Sequence, residues 1–305
     1  MKPINKTGIL VVDKESGPTS HDVVARVRRI IGERRVGHCG TLDPLATGIL
    51  VICSGRFTRL NEWLSAGEKE YMAELTLGAV SDTFDAQGAI EMIEVAVAPN
   101  PELVGESLHG FQGTIMQRPP AYSAVKVDGK RSYTLARQNK AVELTARPVT
   151  VSELSVSSYD YPKLNLRLVC SRGTYVRSIA HDLGNLLGCG AYVSKLQRTR
   201  VGSLDMTMAR SLDEIDRAVA MGQLEACFVP PHLALSGLDH VSLQHSQLDS
   251  FSHGNAVPVP GPGREIAEVC AVFDDKRDLF GIGEWRGEGR FLQPVRVLRE
   301  PAYAN

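Results

Sequence analysis

The sequence lacks most of the features that would settle its class at once. No apolar run approaches the roughly 18 residues a membrane span needs, so no membrane partner is expected. The opening MKPINKTGILVVDK has neither the long apolar core nor the small-residue cleavage site of a secretory leader. Six cysteines, at positions 39, 53, 170, 189, 227 and 270, include no Cys-x-x-Cys pair. They are expected as reduced thiols in a cytoplasmic chain. Histidines and cysteines are too scattered to supply three or four ligands, so no metal is expected. The glycine-bearing loops fit neither Gly-x-x-x-x-Gly-Lys-Ser/Thr nor Gly-x-Gly-x-x-Gly, so no nucleotide cofactor is expected. Internal repeats and low-complexity tracts are missing too.

What is present is ordinary globular composition, 43% hydrophobic and 23% charged over 305 residues, a length that suits about two domains. The net charge of −1 hides an uneven distribution. Residues 78–116 carry six acids and no Lys or Arg, residues 117–200 carry fourteen bases against five acids, and residues 201–305 carry nine bases against fifteen acids. Two readings fit the basic central third: a solvated face compensated in space, or a concentrated contact with an anionic polymer such as a phosphate backbone.

Hydrophobic periodicity gives the order of elements. Thr7–Lys14 reads as a buried strand, and PTSHDVVARVRRIIG as a helix capped by Ser20, with Val23, Val24, Val27, Ile30 and Ile31 on one face and Gly32 at its end. ILVICSG, the alternating Tyr71–Leu77, LNLRLVC and AYVSKLQRTRVG read as strands. PELVGESLHGFQG and SRGTYVRSIAHDLGNLLG read as helices, the second with Val176, Ile179, Ala180, Leu183, Leu186 and Leu187 inward. Residues 112–147 hold Pro119-Pro120, an Asp128-Gly129 turn and seven bases among aromatics, and read as a surface insertion rather than a core layer. Beyond Pro230-Pro231 a unit of short strands follows, with a boundary near 238. The expected architecture is α+β: a mixed, mostly antiparallel sheet flanked by helices over 1–238, then a small β-barrel-like unit over 239–305.

One stretch reads as a holding loop: GHCGTLDPLATG, residues 37–48, in which glycines and a proline surround a single carboxylate, Asp43. The residue before a proline avoids the α region, and the glycines allow backbone geometries closed to other residues. Asp43-Pro44 alone is compatible with a simple turn, or with a carboxylate presented to a cleft. A lone carboxylate does not suit glycoside hydrolysis, which uses two; it suits covalent catalysis on a sugar or an electron-poor ring. Arg177, near a helix start, is a candidate cationic partner. His38 reads as a planar stacking group or a polar loop residue, and Tyr71 as a core or rim aromatic. Tyr122 and Tyr133, interleaved with Lys126, Lys130, Arg131 and Arg137, suit RNA, where bases stack on rings and cations track phosphates.

Four blocks then carry a resemblance: GHCGTLDPLATGIL, KEYMAELTLGAVSDTFDAQG, RPPAYSAVKVDGKRSYTLAR and CSRGTYVRSIAHDLGNLLGCGAYVSKLQRTRVG. In this order, over roughly residues 8–205, they resemble the TruB family of bacterial tRNA pseudouridine synthases, and the C-terminal unit is similar to that family's PUA-type domain. The resemblance implies isomerisation of uridine-55 in the T-loop of tRNA, without metal or cofactor, by a stand-alone monomer. It implies Asp43 as nucleophile, Tyr71 on the target base and at its C5 proton, and Arg177 paired with the carboxylate. His38 would fill the space left by flipped nucleotides, Tyr175 and Leu196 would line the uracil pocket, and 112–147 would close over the T-arm. Cys39 stands where the family often has Thr, and Asn139 where Gly is usual. Three rivals remain: a tRNA-binding protein without catalysis, a synthase of the same fold acting on another uridine, and a small-molecule glycosidase, which lacks a second well-placed carboxylate.

Overall fold

The computed structural model describes residues 5–123, 125–127, 129–132, 138, 144–259, 265 and 267–298. The chain runs β1 (Gly8–Lys14), α1 (Ser20–Ile31), β2 (Val36–His38), β3 (Thr47–Ser54), β4 (Lys69–Leu77), β5 (Ala79–Ser81) and β6 (Ile90–Met92). It continues with α2 (Pro101–His109), β7 (Gly113–Gln117), β8 (Lys126–Val127), β9 (Lys130–Arg131), β10 (Arg147–Asp160), β11 (Lys163–Cys170), α3 (Val176–Leu186), β12 (Ala191–Val201), β13 (Leu204–Asp205) and α4 (Leu212–Ala220). Among the described residues the main sheet has the order β1-β3-β12-β4-β11-β10-β7, with β2 added beside β3 and β13 beside β12. The β3–β12 pair is parallel; its other pairs are antiparallel. This is the mixed, mostly antiparallel sheet expected.

Period-2 patterning explains the central strands. Tyr71, Ala73, Leu75 and Leu77 of β4 are buried, while Met72 between them is exposed. Helices α1 and α3 cover the same sheet face, setting Val23, Val27 and Ile31, and Val176, Ile179 and Leu183, into one core with Leu50, Ala73 and Leu166. Leu186, expected inward on α3, is 62% exposed: it falls in the last turn, beyond the end of that core stripe.

Two local expectations change. The cap of α1 is Thr19, not Ser20: Thr19 Oγ1 accepts from Asp22 N at 3.2 Å, and Asp22 Oδ2 accepts from Thr19 N at 2.9 Å. Asp22 at the third helical position makes that reciprocal box possible, which leaves Ser20 free to turn inward. Within 112–147, residues 113–117 form β7, an edge strand paired with β10. Of the expected Asp128-Gly129 turn, Gly129 stands between β8 and β9 at φ +79°, and Asp128 lies outside the described residues.

After α4 the chain builds β14 (Asp239–Ser242), a helix at His245–Ser252, β15 (Val257–Pro258), β16 (Val269–Phe273), β17 (Leu279–Arg286) and β18 (Phe291–Val297). Their sheet runs β14-β16-β17-β18-β15. The first strand and the helix were not read from the sequence, because DHVS offers one apolar residue, Val241, and HSQLDSFS two, Leu248 and Phe251, too few to show a period. One face of this sheet packs on the back of the main one: Ala271, Phe273, Leu279 and Ile282 share a core with Ile9, Val11, Ile49 and Phe57.

Candidate active site

The loop between β2 and β3 carries Asp43, and its backbone is held from beneath by three buried polar side chains. Arg198 donates to Gly40 O and Thr41 O, both at 3.3 Å, and to Ile49 O at 2.8 Å. Ser20 Oγ donates to Leu42 O and accepts from Leu42 N, both at 2.8 Å. Lys14 Nζ donates to Pro44 O at 3.1 Å and Ala46 O at 2.6 Å. None of the three is more than 2% exposed. Burial pushes the Lys14 ammonium down to about 8, with the Asp43 carboxylate opposing the shift and Arg198 adding to it. Gly48, just past the loop, sits at φ +89°, and a Cβ there would lie 2.3 Å from Arg198 O. Only glycine satisfies both constraints.

Asp43 meets Arg177 across the sheet. Arg177 Nη2 donates to Asp43 Oδ1 at 3.2 Å, and Nε lies 2.9 Å from Oδ2. The Nε–H does not point along that second line, so the contact is an ion pair rather than a second hydrogen bond. The same guanidinium donates to Thr83 O and Tyr122 O at 3.0 Å each, and its Nε lies 3.6 Å from Asp85 Oδ2. The two carboxylates differ in access: the Asp43 side chain is 32% exposed, that of Asp85 only 5%.

Arg177 is placed by the start of α3. The N-cap residue Tyr175 gives no side-chain cap; Gln117, at the end of β7, instead clamps the backbone of Tyr175 itself. Its Oε1 accepts from Tyr175 N at 2.7 Å, and its Nε2 donates to Tyr175 O at 3.0 Å. Gln117 is buried, so its amide is committed to this one residue.

Asp43, Tyr71, Tyr175, Arg177 and Leu196 line one cleft of about 1120 Å³. The β4–β12 register sets Tyr71 opposite Arg198 and Ala73 opposite Leu196. Burial raises the Tyr71 phenol above its ordinary range, and the neighbouring Arg198 guanidinium opposes that rise. Leu196 O accepts from Thr47 Oγ1 at 3.4 Å. At the rim, the Arg147 guanidinium lies 5.5 Å from the Tyr175 ring centre and donates to Gly173 O at 3.0 Å. Lys69 and Arg172 add further positive charge to the lining; burial pushes Lys69 down to about 8.

His38 is set back from the wall. The lining residue at that point is His21, whose ring meets that of His38 edge-on, 5.2 Å between centres. Lys126, Lys130 and Arg131 fall on the β8–β9 hairpin, and Arg137 lies outside the described residues. Cys39 Sγ packs 3.4 Å from Cys53 Sγ in the core. Among the described residues there is no group of three side chains suited to a metal, and no helix long and apolar enough to cross a membrane.

The residues missed are Asp85, Arg198, Gln117, Lys14 and Ser20. One of them had a usable signal: Arg198 follows Leu196 by two in a strand and so shares its face. Gln117 had none, since nothing in QRPP marks a side chain that clamps the backbone of Tyr175 fifty-eight residues on.

Comparison with known proteins accords with this geometry. Residues 28–176 match the family model of the TruB family pseudouridylate synthase N-terminal domain, residues 177–236 the tRNA pseudouridylate synthase B C-terminal domain, and residues 240–298 the pseudouridine synthase II TruB C-terminal model. A tRNA pseudouridine synthase B of Dehalococcoides mccartyi is 42% identical over 291 residues, spanning 95% of this chain and 96% of its own. Its counterpart in Aeromonas salmonicida is 36% identical over 304 residues, spanning 96% and 93%. Among solved structures, a chain in the crystal structure of a Cbf5-Nop10-Gar1 complex superposes with a TM-score of 0.77 at 25% identity, over 98% of this chain and 88% of that one.

Proposed function

The chain belongs to the TruB family of tRNA pseudouridine synthases, and from that premise we propose that it isomerises uridine-55 of the tRNA T-loop with Asp43 as the nucleophile. The observation that carries this reading is the state of the Asp43 carboxylate. Its inner edge is ion-paired to a buried guanidinium, while a third of the side chain stays open to the cleft. A nucleophile needs that combination of fixed direction and access.

A stacked base hides its glycosidic carbon, so the target nucleotide must be flipped out at a cost of a few kcal/mol. The cleft, about 1120 Å³, has room for a nucleotide, given that ligand pockets run from roughly 300 to 1,000 Å³. Arg147 and Arg172 in its lining supply the cations that phosphate contacts require. Asp43 attacks either C1′ or C6; on both routes the N1–C1′ bond breaks, the uracil turns, a C5–C1′ bond forms, the bond to Asp43 breaks again, the C5 proton leaves and N1 takes up a proton. The overall change is an isomerisation with no net oxidation, so it calls for no cofactor. Tyr71 packs on the base and helps to remove the C5 proton. Burial opposes a phenolate there, and Arg198 across the strand pair offsets part of that penalty. Tyr175 and Leu196 bound the uracil, and His38 acts behind His21 against flipped neighbours.

The same reading divides the chain near 238, with 112–147 closing over the T-arm through Lys126, Lys130, Arg131 and Arg137, and with 239–305 as a PUA-like RNA-binding unit. Residues 239–305 carry ten acids and seven bases, so that unit contributes shape and hydrogen bonding more than phosphate neutralisation. The protein acts as a monomer in the cytoplasm.

Transcripts labelled with [5-³H]uridine test the position. A tRNA with cytidine at position 55 should release no tritium, and one whose remaining T-arm uridines are replaced should release one equivalent. The reverse pattern would place the activity on another uridine.

A further inference from the structure

The segment between β5 and β6 is a tight knot around Asp85. Asp85 Oδ1 accepts from Thr83 Oγ1 at 2.7 Å and from Gln87 N at 3.0 Å, and Asp85 O accepts from Ser81 Oγ at 2.6 Å. At its centre Phe84 stands at φ +64°, a left-handed conformation. Glycine adopts that conformation freely, whereas any residue with a Cβ is strained by it. The other three non-glycine residues at positive φ among the described residues, Ala267, Arg277 and Glu288, lie in the C-terminal unit. A bulky aromatic at such a position asks for a compensating contact.

That contact is His181. The Phe84 and His181 rings stack face to face, 3.9 Å between centres and 10° apart in plane. Asn185 Nδ2 lies 3.0 Å from His181 Nε2. Arg177, His181 and Asn185 are spaced by four along α3, so they form one stripe. Within that stripe Arg177 binds Thr83 O and faces Asp85, while His181 stacks on the residue between them. One face of one helix thus grips three consecutive residues of the knot.

We infer that the Phe84–His181 stack is a positioning contact for catalysis: it fixes the knot against α3, and so fixes the direction in which Arg177 presents Asp43. Neither ring lines the cleft that holds Asp43. Both act through Arg177. The inference rests on the reading of Asp43 as nucleophile.

Phe84→Gly is the sharpest test, because glycine keeps the left-handed backbone and loses only the ring. In single-turnover tritium release at saturating enzyme, Phe84→Gly and His181→Ala should each slow the bound-state rate by about tenfold or more, the scale of a catalytic group displaced by a fraction of an ångström. Binding of tRNA should stay within about threefold, since phosphate contacts are untouched. His181→Phe preserves the stack and should restore the rate of His181→Ala. The double variant Phe84→Gly/His181→Ala should be no slower than either single, as expected when both remove one shared contact. A wild-type rate for Phe84→Gly, multiplicative losses in the double variant, or no rescue by His181→Phe would overturn the inference. Asp43→Asn run alongside separates the two levels. If Asp43→Asn is inactive while Phe84→Gly is unimpaired, only the positioning role fails; if Asp43→Asn keeps the wild-type rate, the nucleophile reading fails first.

Discussion

Ser20→Ala discriminates between two roles for one hydroxyl. If Ser20 only started α1, its loss would cost about 1 kcal/mol, as helix caps do, and would leave the chemistry alone. In the structure Thr19 does the capping, and Ser20 Oγ instead holds both Leu42 N and Leu42 O at 2.8 Å, beside Asp43. Alanine strands that donor and that acceptor in a buried setting at roughly 1–3 kcal/mol each. The helix recovers only about 0.5 kcal/mol from alanine's better propensity. A net loss of about 1.5–5.5 kcal/mol follows, a large part of a typical stability of about 5–15 kcal/mol. Leu42 then relaxes toward new partners and carries Asp43 with it; a shift near 1 Å costs about a hundredfold in rate. Urea unfolding followed by the fluorescence of Trp63 and Trp285, with single-turnover tritium release on the same preparations, reads both quantities. Thr19→Ala is the control, expected to lose about 1 kcal/mol at an unchanged rate. Ser20→Ala within about 0.5 kcal/mol and twofold of wild type would refute the reasoning, since surface-like substitutions behave that way.

Arg177→Met should leave Asp43 and Asp85 facing each other without a countercharge, with about 3–5 kcal/mol lost from stability; adding Asp85→Asn should recover part of the melting temperature and none of the activity. The buried ammoniums of Lys14 and Lys69 are each held near 8 against an ordinary 10.5. Between those values the unfolded chain binds more protons than the folded one, so this contribution makes stability rise with pH across that window. The urea midpoint of wild type should therefore gain on that of Lys14→Met between pH 8 and 10.5, and a constant difference would contradict the assignment. The Cys53 thiol is pushed well up by its contact with Cys39 and by burial. Iodoacetamide at neutral pH should label neither Cys39 nor Cys53 until the chain unfolds, as mass spectrometry of the peptides would show.

Much of the fold was legible because the strands alternate cleanly and the helices carry continuous apolar stripes; β4 and α1 are the plainest cases. The parts that escaped bury little or are decided at a distance. DHVS joins a sheet with a single apolar side chain, Val241, turned to the core, and a cap moved by one residue because Asp22 favours Thr19. Asp43 and its candidate partner Arg177 were read from the loop and the helix start, the roles of Tyr71, Tyr175 and Leu196 came from the family resemblance, and the structure brings all five into one cleft. The supports around them were not legible, because Ser20, Arg198 and Lys14 meet the loop only after three strands and a helix have assembled. His38 illustrates the reverse: the loop motif names it, yet an edge contact with His21 on α1 sets it behind the cleft wall. Asp85 lay within a quoted block, but its partnership with Arg177 depends on a knot whose central residue is strained, which no periodicity reveals.

The most direct test of the central claim is tritium release from [5-³H]uridine-labelled T-arm RNA by wild type and by Asp43→Asn, a substitution that keeps the shape and removes the charge. Release by wild type alone, mapped to the T-loop uridine, is the expected result. Equal release by both proteins would show that Asp43 is not the nucleophile.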